Sequence, residues 1–319
     1  MTDSHIRLAV DIGGTFTDAV LENDGAFATE KLLTTPAIPA EGFMTAVMKV
    51  LEATGTEPGD VELIIHGTTL ATNTLIEHKG AKTALIVTEG HRDALEIAFE
   101  NRFDQYDIEA QRPPPLVPRH LRLAVCERMD WRGAVLTPLD EASVEALIPE
   151  IERKGVESIA VGLLHAYANP LHEKRTWDIL RAALPDIFFS LSSDVCPEIR
   201  EYDRQSTTCA NAYVQPLMAR YLKDVRERLA AAGFVCPCLI MTSGGSLFTI
   251  EAATDFPVRL VESGPAGGAI LACSIARQLG EDRVISFDMG GTTAKICLID
   301  NGEPLLSRSF EVNRAHRFM

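Results

Sequence analysis

Two short segments in which apolar and polar residues alternate lie near opposite ends of the chain. They are LAVDIGGTFTDAVLENDG (8–25) and ISFDMGGTTAKICLIDNG (285–302), and they align without a gap. In each, the pattern predicts an apolar strand that ends at an acid, a Gly-Gly-Thr turn, a returning strand and a two-residue hairpin turn. A third strand is expected over 26–33 in the first copy and over 304–312 in the second. The repeat therefore predicts two related β-meanders opened by the same turn.

Strands and helices alternate between these two copies. The hydrophobic pattern predicts further strands over 61–66, 82–88, 158–164, 187–192 and 239–242. It predicts helices over 39–54, from about residue 69, and over 93–100, 141–154, 171–183, 197–232 and 267–279, with a kink or break at Pro216. Such alternation indicates the α/β fold class. We place a domain boundary near residue 195, which gives domains of residues 1–195 and 196–319.

The composition narrows the classes of partner. The 319 residues carry a formal net charge of −15, and 46% of them are hydrophobic, which is typical of a soluble globular protein. The acid excess argues against nucleic acid, because a phosphate backbone needs a broad basic surface. No apolar run approaches the ~18 residues of a membrane helix, and the polar N-terminus does not resemble a secretory signal. Seven cysteines without framework spacing indicate reduced thiols. We therefore expect a cytoplasmic protein with no nucleic-acid or membrane partner.

The two Gly-Gly-Thr turns carry the candidate chemistry. A turn on two glycines exposes backbone N–H groups to a phosphate, the threonine hydroxyl adds a donor, and the preceding aspartate attracts hydrated Mg²⁺. One such turn is a common hairpin, whereas two in register predict a clamp on a polyphosphate. A lysine in Walker spacing is absent from the sequence, which argues against a P-loop enzyme.

Nine segments follow one another in the order typical of a known family. They are VDIGGTFTDAV (10–20), HGTTLATNTLIE (66–77), ALIVTEGHRDALEI (84–97), RGAVLTPLDE (132–141), LLHAYANPLHE (163–173), EIREYDRQSTT (198–208), IMTSGGS (240–246), VESGPAGGA (261–269) and FDMGGTTAK (287–295). The chain resembles the hydantoinase A/5-oxoprolinase family, which includes the acetone carboxylase β subunit, within the actin/Hsp70/sugar-kinase ATPase superfamily. The resemblance implies an actin-like (ribonuclease H-like) α/β fold. Family members continue well past the second turn, so it also implies a complete first domain, a truncated second domain and an uncovered apolar face over 284–312.

The resemblance also implies residue roles. Asp11 and Asp288 are implied as catalytic acids that hold Mg²⁺ through water or orient the attacking water, and Glu262 as the acid that positions the nucleophile. The alternative for Glu262 is a carboxylate that caps the following helix. The residues implied to contact the ATP phosphates are Gly13, Gly14, Thr15, Gly290, Gly291, Thr292 and Thr293.

Other polar groups have more than one interpretation. The residues His66, Thr68 and Thr69 form either a helix cap beside a surface histidine or a loop that faces substrate or phosphate, since ligands of α/β proteins bind at strand ends. The charges of 201–204 are interpreted as a solvated helix start or an ion-pair network in preference to a catalytic group. We expect structural roles for His165, His172 and Glu173, whose spacing matches no metal site. Cys236 and Cys238 lack a second pair or a nearby histidine, which disfavours a metal or redox site.

The chemistry of this family is compatible with two phosphate-binding turns and the acids beside them. The resemblance implies an ATP-using and Mg²⁺-using subunit that phosphorylates and opens a cyclic amide of the hydantoin or 5-oxoproline type, together with a hydantoinase B-type partner subunit. One alternative is a subunit of an ATP-dependent ketone carboxylase of the acetone or acetophenone type. Another is a non-catalytic, truncated subunit that binds nucleotide poorly.

Overall fold

The computed structural model describes residues 5–99, 106, 107, 109, 113–289, 294–307, 310–312 and 316–319. The strands described are β1 (Ile6–Ile12), β2 (Phe16–Asn23), β3 (Ala26–Leu33), β4 (Leu63–Thr68), β5 (Thr83–Thr88), β6 (Arg122–Val125), β7 (Arg128–Met129), β8 (Val135–Thr137), β9 (Ser158–Val161), β10 (Phe188–Leu191), β11 (Cys238–Met241), β12 (Leu247–Thr249), β13 (Val284–Met289), β14 (Ala294–Asp300), β15 (Glu303–Pro304), β16 (Phe310–Val312) and β17 (His316–Phe318). The α-helices are α1 (Pro39–Thr54), α2 (Leu70–Ile76), α3 (Ala94–Ile97), α4 (Glu141–Glu145), α5 (Ile148–Lys154), α6 (Leu171–Ala183), α7 (Ser192–Val195), α8 (Glu201–Ala231), α9 (Ile250–Asp255) and α10 (Ser263–Leu279). Short 3₁₀ turns lie at Pro58–Asp60, Arg119–Leu121 and Pro257–Leu260.

The chain divides into two compact units. The first unit contains residues 1–73 and 218–307, and the second contains residues 74–217 and 308–319. This division follows packing, and the family-based boundary near residue 195 stays a prediction. No described helix combines the length and the apolar character that crossing a membrane requires.

The first unit is built on a six-stranded sheet in the order β12-β11-β4-β1-β2-β3. β1, β2 and β3 form the predicted antiparallel meander, and β4 lies parallel to β1 on its other side. The alternating burial of β1 sends Leu8 and Val10 into the core. Helix α1 packs on the meander through Phe43, Val47 and Val50, which are fully buried. The sheet thereby holds the ends of β1 and β4 side by side.

The second unit contains a four-stranded sheet in the order β10-β9-β5-β6, with all three pairings parallel. Its strands are nearly continuous apolar runs because both faces are covered, as parallel sheets require. β5 is buried at all six positions. The carboxyl ends of β5, β6 and β9 therefore meet at one edge of this sheet.

The α/β fold class is confirmed, while several predicted element bounds are wrong for identifiable reasons. The helix predicted over 141–154 is split into α4 and α5, because Pro149 lacks an N–H and suits a helix's first turn. The sequence predicts a kink or a break at Pro216; the long helix α8 continues through this residue, so it is not broken there. The helix predicted from residue 267 begins earlier, at Ser263.

The second meander differs from the first in its third strand. Of the described residues, Glu303 and Pro304 pair with β14, and the Leu305 amide donates to the Leu298 carbonyl at 2.9 Å. Phe310–Val312 pairs instead with His316–Phe318 in a separate two-stranded sheet. Because residues 305–307 are not in a strand, the prediction of a continuous strand over 304–312 is wrong.

The predicted uncovered apolar face is present on the second meander. Opposed pairs on one face of β13 and β14 are exposed, with Ile285 opposite Leu298 and Phe287 opposite Ile296. Phe287 is 59% exposed and Ile296 is 65% exposed. We call the face formed by these four residues and Met289 the open face. Contiguous exposed apolar surface of this kind favours association.

The open face predicts self-association of the 319-residue chain. We expect concentration-dependent oligomers by light scattering, and we expect the double variant F287K/I296K to shift the distribution towards monomer, since two ammonium groups would lie on the contact. The matched control is V235K, because Val235 is an 85% exposed valine outside the open face. A wild-type chain that stays monomeric at every concentration would contradict this prediction.

Candidate functional site

The first Gly-Gly-Thr turn is held by backbone and threonine contacts. The Gly13 amide donates to the Phe16 carbonyl at 2.9 Å, which closes the turn. The Thr34 hydroxyl donates to the Gly13 carbonyl at 2.9 Å, and the Thr34 amide donates to the Thr15 carbonyl at 2.9 Å. Gly14 and Thr15 are exposed at the turn. Hydrogen bonds to Phe16 and Thr34 thus fix the turn, while Gly14 and Thr15 remain open to solvent.

The residues Gly290, Gly291, Thr292 and Thr293 of the second turn lie outside the described residues. The strands on either side of that turn are described, and Asp288 is exposed at the end of β13. Asp288 is paired in register with Lys295, just as Asp11 is paired with Asp18 in the first copy. The repeat thus preserves the acid before each turn but replaces the opposing acid by a base.

The electrostatics of Asp11 connect the two copies. Asp11 is exposed at the end of β1, but the protein around its carboxyl desolvates it and raises its pKa. The charges of Asp18 and Asp288 raise the pKa further, while Lys295 and Lys31 act in the opposite direction. That Asp11 and Asp288 serve one site stays a prediction. Lys31 Nζ lies 2.8 Å from Asp18 Oδ1, so these two exposed groups form an ion pair.

Glu262 lies immediately before helix α10 with a left-handed backbone, at φ 65°. Its side chain does not cap the helix, so the capping alternative is wrong. Instead, Glu262 Oε2 lies 2.6 Å from Lys295 Nζ. The left-handed conformation, which is uncommon outside glycine, directs the carboxylate towards the second meander. Lys295 is a site residue that the sequence reasoning missed, although its place opposite Asp288 in the repeat could have revealed it.

His66 is fully buried and does not lie on the surface, so a surface histidine is wrong. Its Nδ1 is 3.0 Å from the Val10 carbonyl, and its Nε2 is 2.7 Å from the Tyr221 hydroxyl. Since a carbonyl only accepts, Nδ1 carries the proton and Nε2 accepts from tyrosine. The edge of the imidazole also meets Phe43, with ring centroids 4.9 Å apart. His66 therefore fixes the carbonyl of the residue that precedes Asp11.

Gly67 and Thr69 also contact the end of strand β1. Gly67 is paired with Asp11 in the sheet, and a Cβ at Gly67 would lie 2.6 Å from Asp11 Oδ1. The Thr69 amide and hydroxyl both lie within hydrogen-bond distance of the Ile12 carbonyl, at 3.0 and 3.2 Å. The absence of a side chain at Gly67 is therefore what leaves room for the Asp11 carboxylate.

The same segment also holds the start of helix α10. The Glu262 amide donates to the Thr72 hydroxyl at 3.0 Å, and the Ser263 hydroxyl lies 3.4 Å from the Thr68 carbonyl. The segment 66–72 thus touches both the strand that ends at Asp11 and the residue that bears Glu262. We call it the brace.

His66 predicts a specific pH dependence of stability. Burial lowers the pKa of His66 to about 4 from 6.5. Above pH 6.5 the imidazole is neutral in both states. As pH falls below 6.5, the unfolded chain gains a proton that the folded chain does not bind until about pH 4, so stability is lost across this window. The full effect is about 3 kcal/mol.

We expect urea midpoints to fall more steeply for the wild type than for His66→Gln between about pH 7 and about pH 4. The difference between the two curves reports on His66, because Glu173 titrates in both proteins. The raised pKa of Glu173 makes the folded state more stable as pH falls, which is opposite to the effect of His66. Parallel midpoint curves for the two proteins would contradict the assignment.

The second unit contains buried polar groups with structural partners. His172 Nδ1 is 2.7 Å from Glu127 Oε2, and Glu173 accepts from the Ser192 hydroxyl at 2.6 Å and from the Leu163 amide at 2.9 Å. Burial raises the pKa of Glu173. These contacts agree with structural roles. Within the described ranges, no cluster of three or more His, Cys, Asp and Glu side chains is placed to hold a metal directly.

The structure also bears on the predictions for the charges of 201–204 and for the two cysteines Cys236 and Cys238. Arg204 is fully buried and donates to the carbonyls of Glu198 and Leu163 at 2.7 and 3.1 Å, so interpreting its charge as solvated or ion-paired is wrong. Cys236 and Cys238 are free thiols, and burial raises the pKa of Cys238 to about 12. A thiol held protonated in this way is a poor nucleophile and metal ligand.

These observations define a mixed α/β protein with an acid-bearing Gly-Gly-Thr turn on a braced strand. The chain belongs to the hydantoinase/oxoprolinase family. The N-terminal region of that family matches residues 7–184, and the hydantoinase/oxoprolinase domain matches residues 204–317. The family resemblance stated from the sequence motifs is confirmed.

Known relatives cover the chain almost completely. Caprolactamase subunit alpha of Pseudomonas jessenii is 35% identical over 98% of this chain and 46% of its own length. The crystal structure of the ATP-dependent caprolactamase from the same organism superposes with a TM-score of 0.84 at 36% identity, covering 92% of this chain and 43% of that one. The nucleotide-free acetone carboxylase structure, from work on ATP-dependent acetone carboxylation, gives a TM-score of 0.85 at 26% identity, covering 99% and 46%. The chain therefore spans about half the length of the relatives it matches.

Proposed function

We propose that this chain is the ATP-using part of an enzyme that phosphorylates and opens a cyclic amide. The observation that carries the proposal is that Asp11, Asp288 and the Glu262–Lys295 ion pair belong to one compact unit, in which the charges of Asp288 and Lys295 act on Asp11. The similarity to an ATP-dependent caprolactamase supports the amide class. The ketone carboxylase remains the second candidate because its structure superposes equally well.

The chemistry requires phosphate positioning and charge neutralisation. An amide carbonyl is a poor electrophile, but transfer of the ATP γ-phosphoryl group to its oxygen makes that oxygen a leaving group. Water then adds to the carbon, and the ring C–N bond breaks as the nitrogen leaves with a proton, which opens the ring and leaves an acyl phosphate. A second water attacks the carbonyl carbon of the acyl phosphate, and phosphate departs with the former lactam oxygen. Preorganised backbone donors and charges stabilise such transfers. We propose that Gly13, Gly14 and Thr15 supply these donors from the first turn, and Gly290, Gly291, Thr292 and Thr293 those from the second.

The charges in this unit fit a magnesium–nucleotide complex. The carboxylates of Asp18 and Asp288 raise the pKa of Asp11, so negative charge accumulates where a hydrated divalent cation would be favourable. Bound Mg²⁺ would neutralise phosphate oxygens there, with Asp11 and Asp288 holding it through water. Lys295 offers the matching positive charge to a phosphate oxygen, and Glu262 orients the attacking group. The brace keeps these residues in register.

His66 has a supporting part in this proposal. Both of its ring nitrogens are engaged inside the protein, so it positions the strand before Asp11 and does not contact substrate. Thr68 and Thr69 act in the same way through backbone contacts. A hydantoinase B-type subunit is proposed as the partner that completes the substrate chemistry.

Isotope transfer tests the proposed reaction. The chain, co-expressed with its B-type partner, is incubated with Mg-ATP and a lactam labelled with ¹⁸O at the carbonyl. Caprolactam, 5-oxoproline and hydantoin are compared, with acetone plus bicarbonate as the ketone control. We expect the label in inorganic phosphate and ring opening only when ATP is present. Phosphate release driven by acetone and bicarbonate, with no lactam opening, would establish the second candidate instead.

A further inference from the structure

The second unit contains a cavity of about 410 Å³ that the proposed nucleotide chemistry does not use. Its polar lining comes from segments that follow the parallel strands β5, β6 and β9 and from the start of α8. Ligands of α/β proteins bind at the carboxyl ends of such strands. The volume lies in the range of small-molecule sites, about 300–1,000 Å³. Both its place in the fold and its size are those of a binding site.

The cavity has a surplus of positive charge. An Nη1 of Arg128 lies 2.9 Å from His91 Nε2. Because a guanidinium can only donate, His91 accepts and is neutral, and its pKa is lowered by partial burial and by Arg128. Neither Arg128 nor Arg200 forms an ion pair with a described carboxylate, and Glu201 is the acid of the lining. Two guanidinium groups thus oppose one carboxylate.

A histidine in the lining has an unused buried nitrogen. His165 Nδ1 is buried and has no hydrogen-bond partner among the described residues. The His165 backbone is left-handed, at φ 57°. Buried polar atoms are normally paired, and uncommon backbone conformations cluster at ligand sites. His165 thus lines the cavity while one of its ring nitrogens has no partner among the described residues.

The remaining wall of the cavity is apolar. The Phe99 and Tyr202 rings meet edge to face with centroids 5.0 Å apart. Ile97 and Leu164 also line the cavity. Such a wall binds a hydrocarbon body, while the arginines bind a charged head.

We propose that this cavity binds a small organic monocarboxylate with an apolar body. Arginine forms bidentate pairs with carboxylates, and one surplus positive charge matches a monoanion better than the dianion of inorganic phosphate. The apolar wall receives the hydrocarbon part, and His165 lies in the lining beside it. The cavity residues belong to the second unit and none of them lies in the phosphate turns, so this inference goes beyond the proposed function.

Titration with sodium hexanoate, followed by ligand-observed NMR, tests the proposal on the full chain. We expect a dissociation constant on the order of 1 mM. Arg200→Gln should weaken binding roughly tenfold or more, since it removes a charged hydrogen-bond donor. Arg200 is exposed and bears no ion pair with a described residue, so this variant should fold. Arg153→Gln, an exposed arginine outside the cavity, is the matched control and should bind as the wild type does.

Two further comparisons test whether the charged carboxylate head is what the cavity binds. Neutral hexanamide should bind at least tenfold more weakly than hexanoate, roughly the loss of one charged pair. Glu201→Gln should tighten hexanoate binding, because it removes the opposing charge. Unchanged affinity in Arg200→Gln, no detectable hexanoate binding, or equal binding of inorganic phosphate would overturn the proposal. Asp11→Asn should bind hexanoate as the wild type does, because Asp11 lies outside the cavity. A failure of the nucleotide proposal can therefore be distinguished from a failure of this one.

Discussion

Asparagine in place of Asp11 or Asp288 is expected to abolish ATP turnover in the intact or complemented enzyme while the protein stays folded. Each substitution preserves the shape of the side chain and removes one negative charge from the proposed Mg²⁺ surroundings. The loss of one preorganised electrostatic group costs about 3 kcal/mol or more, which is more than a hundredfold in rate. The measurement is steady-state phosphate release at saturating Mg-ATP.

Asp60→Asn is the matched control, because Asp60 is an exposed aspartate of the same unit, in the 3₁₀ turn Pro58–Asp60. It should leave turnover unchanged. Thermal midpoints of all three variants establish that they are folded. Near wild-type turnover in both Asp11→Asn and Asp288→Asn, with Mg²⁺ as the metal, would remove these residues from the proposed site.

Alanine at Gly67 is expected to reduce turnover at least tenfold, although residue 67 is not proposed to contact a ligand. The added Cβ would lie 2.6 Å from Asp11 Oδ1, so the carboxylate must move. Asp11 Oδ1 is the end of an exposed side chain, so the carboxylate turns away while the backbone stays in place. A misplaced catalytic group can cost a hundredfold in rate, whereas the free energy of unfolding should change little, because the added Cβ crowds no backbone atom.

Gly59→Ala provides the control for the second prediction. A Cβ at Gly59 would meet no atom within 4 Å, so both turnover and stability should be retained. Turnover of Gly67→Ala is measured well below its thermal midpoint, which separates a displaced carboxylate from an unfolded chain. Full activity would show that Asp11 tolerates the contact and that the brace does not set its position.

The pairing of Glu262 with Lys295 changes how the repeat is understood. The two turns are related in sequence, but the residue opposite the acid is Asp18 in one copy and Lys295 in the other. Asp18 is paired with Lys31, whereas Lys295 is paired with Glu262, the residue just before helix α10. The first copy thus brings together Asp11, Asp18 and Lys31, and the second brings together Asp288, Lys295 and Glu262. Each has two acids and one base, but in a different arrangement.

The amino-acid sequence by itself determined the local elements and the family. Helices α1 and α6 begin and end at the residues that apolar periodicity and prolines predict, because these signals act within a few residues. The first meander likewise follows from alternation and from the Asp24-Gly25 turn. The α/β class and the family resemblance rest on such local patterns.

Only the tertiary structure decided which distant residues share an environment. The sequence left His66 either as a surface histidine beside a helix cap or as part of a ligand-facing loop, yet it is buried, and Tyr221, 155 residues later, is the partner of its second nitrogen. For Glu262 the sequence left a nucleophile-positioning acid and a helix cap open, and the left-handed backbone brings the carboxylate to Lys295. These pairings depend on how sheets and helices pack, and no pattern within a short window contains that information. The brace and the cavity of the second unit form because packing brings together segments that are distant in the sequence.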